Sequence, residues 1–292
     1  MLKRPRKSDP SGTLWISNKF FQEFKRRFNA LKKDIKRKML FEPSFVTNAY
    51  DFPLDPRYLD EFSGWLSEKT EEHLLHIMPG PGIHTRYDRW SDQYVMPAYK
   101  QGMYNAYIHG GFEAATGAAA NPWVQASFSM PFHVSRVGLL YLRTYESLKN
   151  VSEATAGAIR AELAQGMVEG INPRKIASRM ADKIDDIGIH RAELIARTEI
   201  MRAHSEASLD TYESFETEGI TLLVEYLYTK DDRVCQKCVD FGTDENGNPK
   251  RFKVSESHGI LPLHPNCRCV WIPWVPGLDS EKDQKTKEGI DF

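Results

Sequence analysis

Apolar residues recur at helical spacing through most of the chain, and an alternating pattern is confined to its C-terminal part. Along residues 20–40 the apolar positions lie three or four residues apart, at Phe21, Phe24, Phe28, Leu31 and Ile35. This spacing predicts an amphipathic helix. The same reasoning predicts helices over residues 57–77, 88–118, 134–150, 151–169, 173–184 and 189–217. Residues 223–229 alternate as a strand does, and a second short strand is expected near residues 269–273.

Turn-forming residues set the expected ends of these helices. Pro97 is expected to kink or split its helix, because proline removes an internal hydrogen bond. Asn150 begins a capping-box sequence, so a new helix is expected to start directly after it. The dipeptide Asn172-Pro173 is a further start signal. The sequence DDIG, residues 185–188, predicts a turn before the next helix.

The segment after residue 217 predicts a small lobe of mixed structure. Its two expected strands are separated by the sequence DENGN, residues 244–248, which favours a turn and predicts that the chain returns as a β-hairpin. Together with the helices before it, this segment gives a fold that is mainly α, with a small C-terminal α+β lobe.

The composition is that of a folded protein and excludes a membrane-spanning class. The chain has 292 residues, of which 41% are hydrophobic and 27% charged, which is ordinary for a globular protein. No window approaches the roughly 20 apolar residues of a membrane span. The basic start, MLKRPRKSDPSG, is not followed by an apolar segment and therefore does not match a secretory signal. We expect synthesis in the cytoplasm and no membrane partner.

The formal net charge of -1 conceals a basic N-terminus. Residues 1–40 contain thirteen Lys and Arg against three acidic residues. The basic face of the predicted helix is a candidate contact for nucleic-acid phosphates or for an acidic protein surface; a merely solvated helix face has the same pattern. The candidate contact residues are Lys25, Arg26, Arg27, Lys32, Lys33, Lys36, Arg37 and Lys38.

The four cysteines are clustered near the C-terminus, unlike those of a secreted disulfide scaffold. Cys235-x-x-Cys238 and His264-x-x-Cys267 form two zinc knuckles, because each spacing lets two side chains point at one centre. We predict these four residues as ligands of a structural Zn²⁺, with Cys269 as the alternative ligand if His264 points away. A closed four-ligand site leaves no position for substrate. The predicted lobe is thus stapled by zinc and consists of a β-hairpin plus the two knuckles.

Catalytic interpretations of the same region are weaker. A Cys235 or Cys267 nucleophile with His258 or His264 as base has no support from the spacing, and paired thiols at knuckle spacing are better metal ligands. The sequence contains no glycine-rich phosphate loop, no nucleophile elbow and no HExxH motif. We therefore predict a protein that is not an enzyme and has no catalytic residues.

Three segments occur in an order that identifies a family. The first is an ARTE helix, the second a D-x-R-x-C-x-x-C sequence, and the third the sequence P-x-HPNCR. Besides the cysteines and His264, the matching positions include Arg197, Thr198, Glu199, Arg202, Asp232, Arg233, Asn266 and Arg268. Over about residues 132–274 the chain closely resembles the phage Mu protein F-like minor head proteins. Tyr226 stands where members often have Trp, a departure expected to affect packing only.

The resemblance implies a structural minor head protein of a tailed bacteriophage that acts in head morphogenesis. It implies the virion head near the portal vertex as location, and the portal protein and major capsid protein as partners, with packaged phage DNA as a further contact. One alternative is a DNA-binding protein ejected with the genome, and another is a zinc-dependent enzyme. The expected domains are a basic arm and helix (1–45), an aromatic-rich helical region (46–131), the head morphogenesis domain (132–274) and a polar tail (275–292).

Overall fold

The computed structural model describes residues 9–41, 56–75, 89–112, 116–229 and 231–276. The α-helices in these ranges are α1 (Leu14–Phe41), α2 (Pro56–Thr70), α3 (Asp92–His109), α4 (Pro122–Phe128), α5 (Pro131–Val168), α6 (Pro173–Lys183), α7 (His190–Thr217), α8 (Gln236–Gly242) and α9 (Val254–Ser257). The strands are β1 (Leu223–Leu227), β2 (Arg251–Phe252) and β3 (Val270–Trp274). The predicted fold class, mainly α with a small C-terminal α+β lobe, is confirmed. The expectations for the start of the basic arm, the linker after α1 and most of the polar tail fall on residues 1–8, 42–55 and 277–292, which lie outside the described residues.

The predicted helix start after Asn150 is wrong, because α5 continues through this residue. A cap requires non-helical backbone, and no Gly or Pro adjoins Asn150 to break the helix. Leu148 and Val151 are both buried on either side of it, so packing favours an unbroken helix over the local capping signal.

Two further boundaries differ from the prediction. The DDIG turn is a π-helical segment, Ile184–Ile189, that joins α6 to α7. Gly188 within it packs closely, since a Cβ there would lie 2.6 Å from the Phe28 ring. The helix predicted over residues 88–118 ends at His109, where Gly110 and Gly111 follow, and Gly111 has a positive φ. The start signal at Asn172 is confirmed by the bond from Arg174 N–H to the Asn172 side chain at 2.9 Å.

The described chain divides into two units. A helical unit comprises Asn18–Gln93 and Tyr141–Ala196, and a sheet-containing unit comprises Met1–Ser17, Tyr94–Leu140 and Arg197–Phe292. In the helical unit the buried face of α1 includes Phe24 and Phe28 as expected, but Phe20 is buried where Phe21 was predicted. The fully buried Trp90 packs beside Phe20 and Phe24, with ring centroids 5.4 and 5.5 Å away.

The core of the sheet-containing unit positions the cysteines. The sheet has the order β2-β1-β3 with both pairs antiparallel, and Tyr226 of β1 lies opposite Trp271 of β3. The DENGN turn is confirmed, because Thr243 and Pro249 form a bridge around it. Buried Tyr226 and Trp271 pack with Tyr212 of α7 in one apolar cluster that includes Cys238, Cys267 and Cys269. Among the described helices, none is both long enough and apolar enough to span a bilayer.

Candidate metal centre

The first knuckle is built on the start of α8. Cys235 is the residue before this helix, and Cys238 lies in its first turn. The Cys238 N–H donates to the Cys235 carbonyl at 3.0 Å. This turn brings both thiols to the same side of the chain, with Cys238 buried and Cys235 half-buried.

The second knuckle repeats this turn. The Cys267 N–H donates to the His264 carbonyl at 3.1 Å, and Asn266 between them adopts φ 64°, in the left-handed region that Asn tolerates. His264 Nδ1 lies 2.7 Å from the Pro265 carbonyl oxygen. Nδ1 therefore carries the donated hydrogen, and Nε2 presents its lone pair to the sulfur atoms.

The two knuckles converge. His264 Nε2 lies 3.1 Å from Cys235 Sγ and 3.0 Å from Cys238 Sγ, and Cys238 Sγ lies 4.0 Å from Cys267 Sγ. Tetrahedral zinc with Zn–S bonds of about 2.3 Å requires sulfur atoms about 3.8 Å apart, so the sulfur spacing fits. The nitrogen–sulfur distances are about half an ångström shorter than tetrahedral zinc needs, which a small outward movement of the side chains corrects. These Cys and His side chains are a group that can hold a metal ion.

Cys238 belongs to two candidate ligand groups. One comprises Cys235, Cys238 and His264, the other Cys238, Cys267 and Cys269, and in each the ligand atoms lie within 4.8 Å of one another. The structure thus brings together all four predicted ligands and also the alternative, Cys269. Either Cys267 or Cys269 is therefore the candidate for the fourth ligand beside Cys235, Cys238 and His264.

The Tyr226 side chain contributes more than packing, contrary to expectation. Its hydroxyl donates to Cys238 Sγ at 3.2 Å, and burial raises its pKa, so it stays a donor. Burial also raises the pKa of Cys238. A hydrogen bond from the Cys269 thiol lowers the pKa of Cys267, and the same bond raises the pKa of Cys269. A thiolate is the form that binds a metal.

An ion pair connects the segments that carry the two knuckles. Arg268 Nη1 and Nη2 donate to the two carboxylate oxygens of Asp231 at 2.6 and 2.7 Å. The Arg268 guanidinium holds the pKa of Asp231 well below its usual range, and the Arg233 N–H adds to this effect. The D-x-R-x-C spacing places its aspartate two residues before Arg233, at Asp231, whereas the prediction named the adjacent Asp232, which is exposed. The prediction of Asp232 is therefore wrong by one position, and the motif spacing alone identifies Asp231.

The ARTE segment lies on α7. Arg197 Nη1 reaches Asn266 Oδ1 of the second knuckle at 3.5 Å, a long contact. Arg202 Nε lies 3.8 Å from Glu199 Oε2, with both side chains largely buried. Thr198 is half-buried. Arg197, Glu199 and Arg202 therefore form internal contacts of the sheet-containing unit, and the contact of Arg197 reaches the second knuckle.

The eight predicted contact residues on α1 fall into two sets. Five are exposed: Lys25, Arg26, Lys33, Lys36 and Arg37. The other three have neighbours within the helical unit. Arg27 donates to the His73 carbonyl at 2.8 Å, Lys32 pairs with Asp185 at 2.6 Å, and Lys38 is buried with Glu61 at 3.9 Å.

The comparisons with known proteins concern the region that holds these features. Residues 157–272 match the family model described as Phage Mu protein F like protein. No curated protein and no solved structure shows significant similarity to the chain. The matched residues include all of α7, both knuckles and the strands between them. Over these residues the chain is similar to the phage Mu protein F-like family, as the order of its three motif segments predicts.

Proposed function

We propose that this chain is a structural minor head protein of a tailed bacteriophage, acting in head morphogenesis at the portal vertex of the virion. The observation that carries the proposal is the family match over residues 157–272. Three of the four thiols in the candidate metal centre are buried, which suits a structural site better than a catalytic one. The proposed partners are the portal protein and the major capsid protein.

The ion proposed for the Cys and His group is Zn²⁺. Thiolate and imidazole ligands at this spacing are typical of structural zinc, which stabilises small lobes that have little core of their own. The sheet here has three strands, and one of them is two residues long. Bound zinc would cross-link the start of α8 to the loop before β3.

Localisation in the virion tests the proposal. Cryo-EM of purified virions without imposed symmetry, with quantitative mass spectrometry of the heads, measures position and copy number. We expect density for this chain against the portal ring at a low, constant copy number. A chain missing from mature heads, or spread over the capsid shell, contradicts the portal assignment.

The exposed residues of α1 are proposed to contact the portal or packaged DNA. Lys25, Lys33 and Lys36 are exposed, and no acidic residue of α1 is exposed with them. We expect the triple change of these lysines to glutamine to weaken binding about tenfold or more to whichever of the two, portal or DNA, α1 contacts. For duplex DNA, the slope of log affinity against log salt should also fall in magnitude by about 3.

Binding to purified portal rings and to duplex DNA is measured for the same variant. The matched control changes three exposed lysines elsewhere, Lys149, Lys175 and Lys253, to glutamine. Loss of DNA binding alone supports the alternative of a DNA-binding protein ejected with the genome, and loss of portal binding alone supports the portal contact. Equal effects of both triple variants contradict a specific role for α1.

The Asp231–Arg268 pair is proposed to hold the two knuckles at the relative position that zinc binding requires. Asp231→Asn removes the charge that receives both Arg268 donors, so we expect zinc to pass to a competing chelator about tenfold faster. Asp232→Asn is the matched control, since this neighbour is exposed. Equal release rates in the two variants would show that the ion pair does not support the metal site.

A further inference from the structure

A second cluster of metal-ligating side chains lies in the sheet-containing unit, outside the cysteine group. Asp210 and Glu213 belong to α7, and His258 directly follows α9. One ligand atom from each of the three lies within 4.8 Å of the others. An imidazole with two carboxylates is a donor set that suits divalent transition metals.

The orientation of the His258 ring is set by a further carboxylate. Glu206 Oε2 lies 2.8 Å from His258 Nδ1, and Glu206 Oε1 accepts the Gly259 N–H at 2.8 Å. Because Nδ1 faces a carboxylate, Nδ1 carries the hydrogen in the neutral ring and Nε2 presents its lone pair. A carboxylate behind a histidine is the usual support of a metal-ligating imidazole.

His258 Nε2 is in an unusual position. The atom is fully buried, and within the described part of the chain it makes no well-directed hydrogen bond. Glu213 Oε1 is 3.1 Å away but out of line with the ring N–H direction. A buried nitrogen without a hydrogen-bond partner costs free energy, and a cation between Nε2 and the carboxylates removes that cost.

The local charge also favours a cation. The carboxylates of Glu206, Asp210 and Glu213 face one guanidinium, that of Arg136, whose Nη2 is 3.0 Å from Asp210 Oδ1. The hydrogen bond to Glu206 and the nearby carboxylates raise the pKa of His258, so without a metal its imidazolium pairs with them and one negative charge remains uncompensated. A divalent cation that displaces the His258 proton balances the three carboxylates together with Arg136. Burial raises the pKa of Asp210 despite its hydrogen-bond partners, so its carboxylate gains from a further positive neighbour.

We infer that Asp210, Glu213 and His258 bind a divalent transition-metal ion such as Mn²⁺, with water completing its coordination. Glu206 is the positioning residue behind His258. The side chains of Glu213 and His258 are 35% and 21% exposed, so the ion can reach the site from solvent. Binding joins α7 to the loop after α9.

Titration of the purified full chain with Mn²⁺ at pH 8 tests the site, with free Mn²⁺ followed by its EPR signal. Thiolate ligands disfavour Mn²⁺, so the result does not depend on what the Cys and His group binds. We expect one Mn²⁺ per chain. His258→Gln and Glu213→Gln should each weaken the affinity at least tenfold.

The same substitutions at exposed positions, His190→Gln and Glu216→Gln, are the matched controls and should leave the affinity unchanged. Circular dichroism of each variant checks that it is folded, and Glu213, being partly exposed, tolerates the change best. No Mn²⁺ binding by the unmodified chain, or unchanged affinity in both site variants, overturns the inference.

Discussion

Cys238→Ser is expected to abolish zinc binding and to unfold the C-terminal lobe. Cys238 is the one residue shared by both candidate ligand groups, so its loss removes a ligand whichever group is used. Structural zinc contributes on the order of 10 kcal/mol of apparent binding free energy in small zinc-dependent folds, which exceeds what a three-stranded sheet supplies. We expect about one zinc per chain in the unmodified protein and almost none in the variant.

Zinc content by mass spectrometry and the near-ultraviolet circular dichroism of the lobe measure this effect. Tyr226 and Trp271 pack against the cysteines, so their dichroic signal reports the fold there. The matched variant is Cys269→Ser, which leaves zinc bound if the ligands are the predicted four. Zinc retained in Cys238→Ser would contradict the metal centre.

The same series distinguishes the two ligand groups. If Cys269→Ser loses zinc while His264→Gln retains it, the centre uses the three thiols of Cys238, Cys267 and Cys269. If Cys269→Ser retains zinc and His264→Gln loses it, the centre uses both knuckles as the sequence predicts. Zinc lost in both single variants indicates that Cys269 and His264 bind together.

Gly102→Ala is expected to destabilise the sheet-containing unit by about 3 kcal/mol, the upper part of the range for overpacking. A Cβ at this position of α3 would lie 2.2 Å from the His204 carbonyl oxygen and 2.8 Å from Ala207 Cβ, both of α7. Because the added Cβ would clash with the backbone of α7, the clash is relieved only if α3 and α7 move apart. That movement also breaks the bond from Ser208 Oγ to the Gly102 carbonyl, which is 3.2 Å long.

Gly157→Ala supplies the matched control, because a Cβ added to this helical glycine of α5 would meet no other atom within 4 Å. There alanine should stabilise the protein by about 0.5–1 kcal/mol, since glycine is the poorer helix former. Urea denaturation of both variants gives the two free energies of unfolding. Equal changes for the two positions would contradict the close approach of α3 and α7.

The sequence predicted those features that depend on local spacing. Most helices and both main strands follow from periodicity, and the convergence of the candidate ligands follows from the Cys-x-x-Cys and His-x-x-Cys intervals. The misplaced boundary at Asn150 shows the limit, because a capping signal is weak against the burial of Leu148 and Val151 on either side.

Contacts between distant residues were not predictable in the same way. Glu206 and His258 are 52 positions apart, and Lys32 and Asp185 are 153 apart. A count of charges along α1 therefore predicted a basic face but did not separate the exposed lysines from Lys32, which is paired internally. The partner of Arg268 was missed for a different reason, since the D-x-R-x-C spacing identifies Asp231 and the prediction named its neighbour Asp232.

Both edges of the small sheet are unsuited to pairing with a further strand. One edge, β2, is two residues long, and the other edge, β3, contains Pro273, which has no N–H to donate. Short strands and proline at an edge are poor templates for a further strand. Copies of this chain at high local concentration are therefore protected against joining edge to edge into a continuous sheet, and their contacts are left to side chains and helix surfaces.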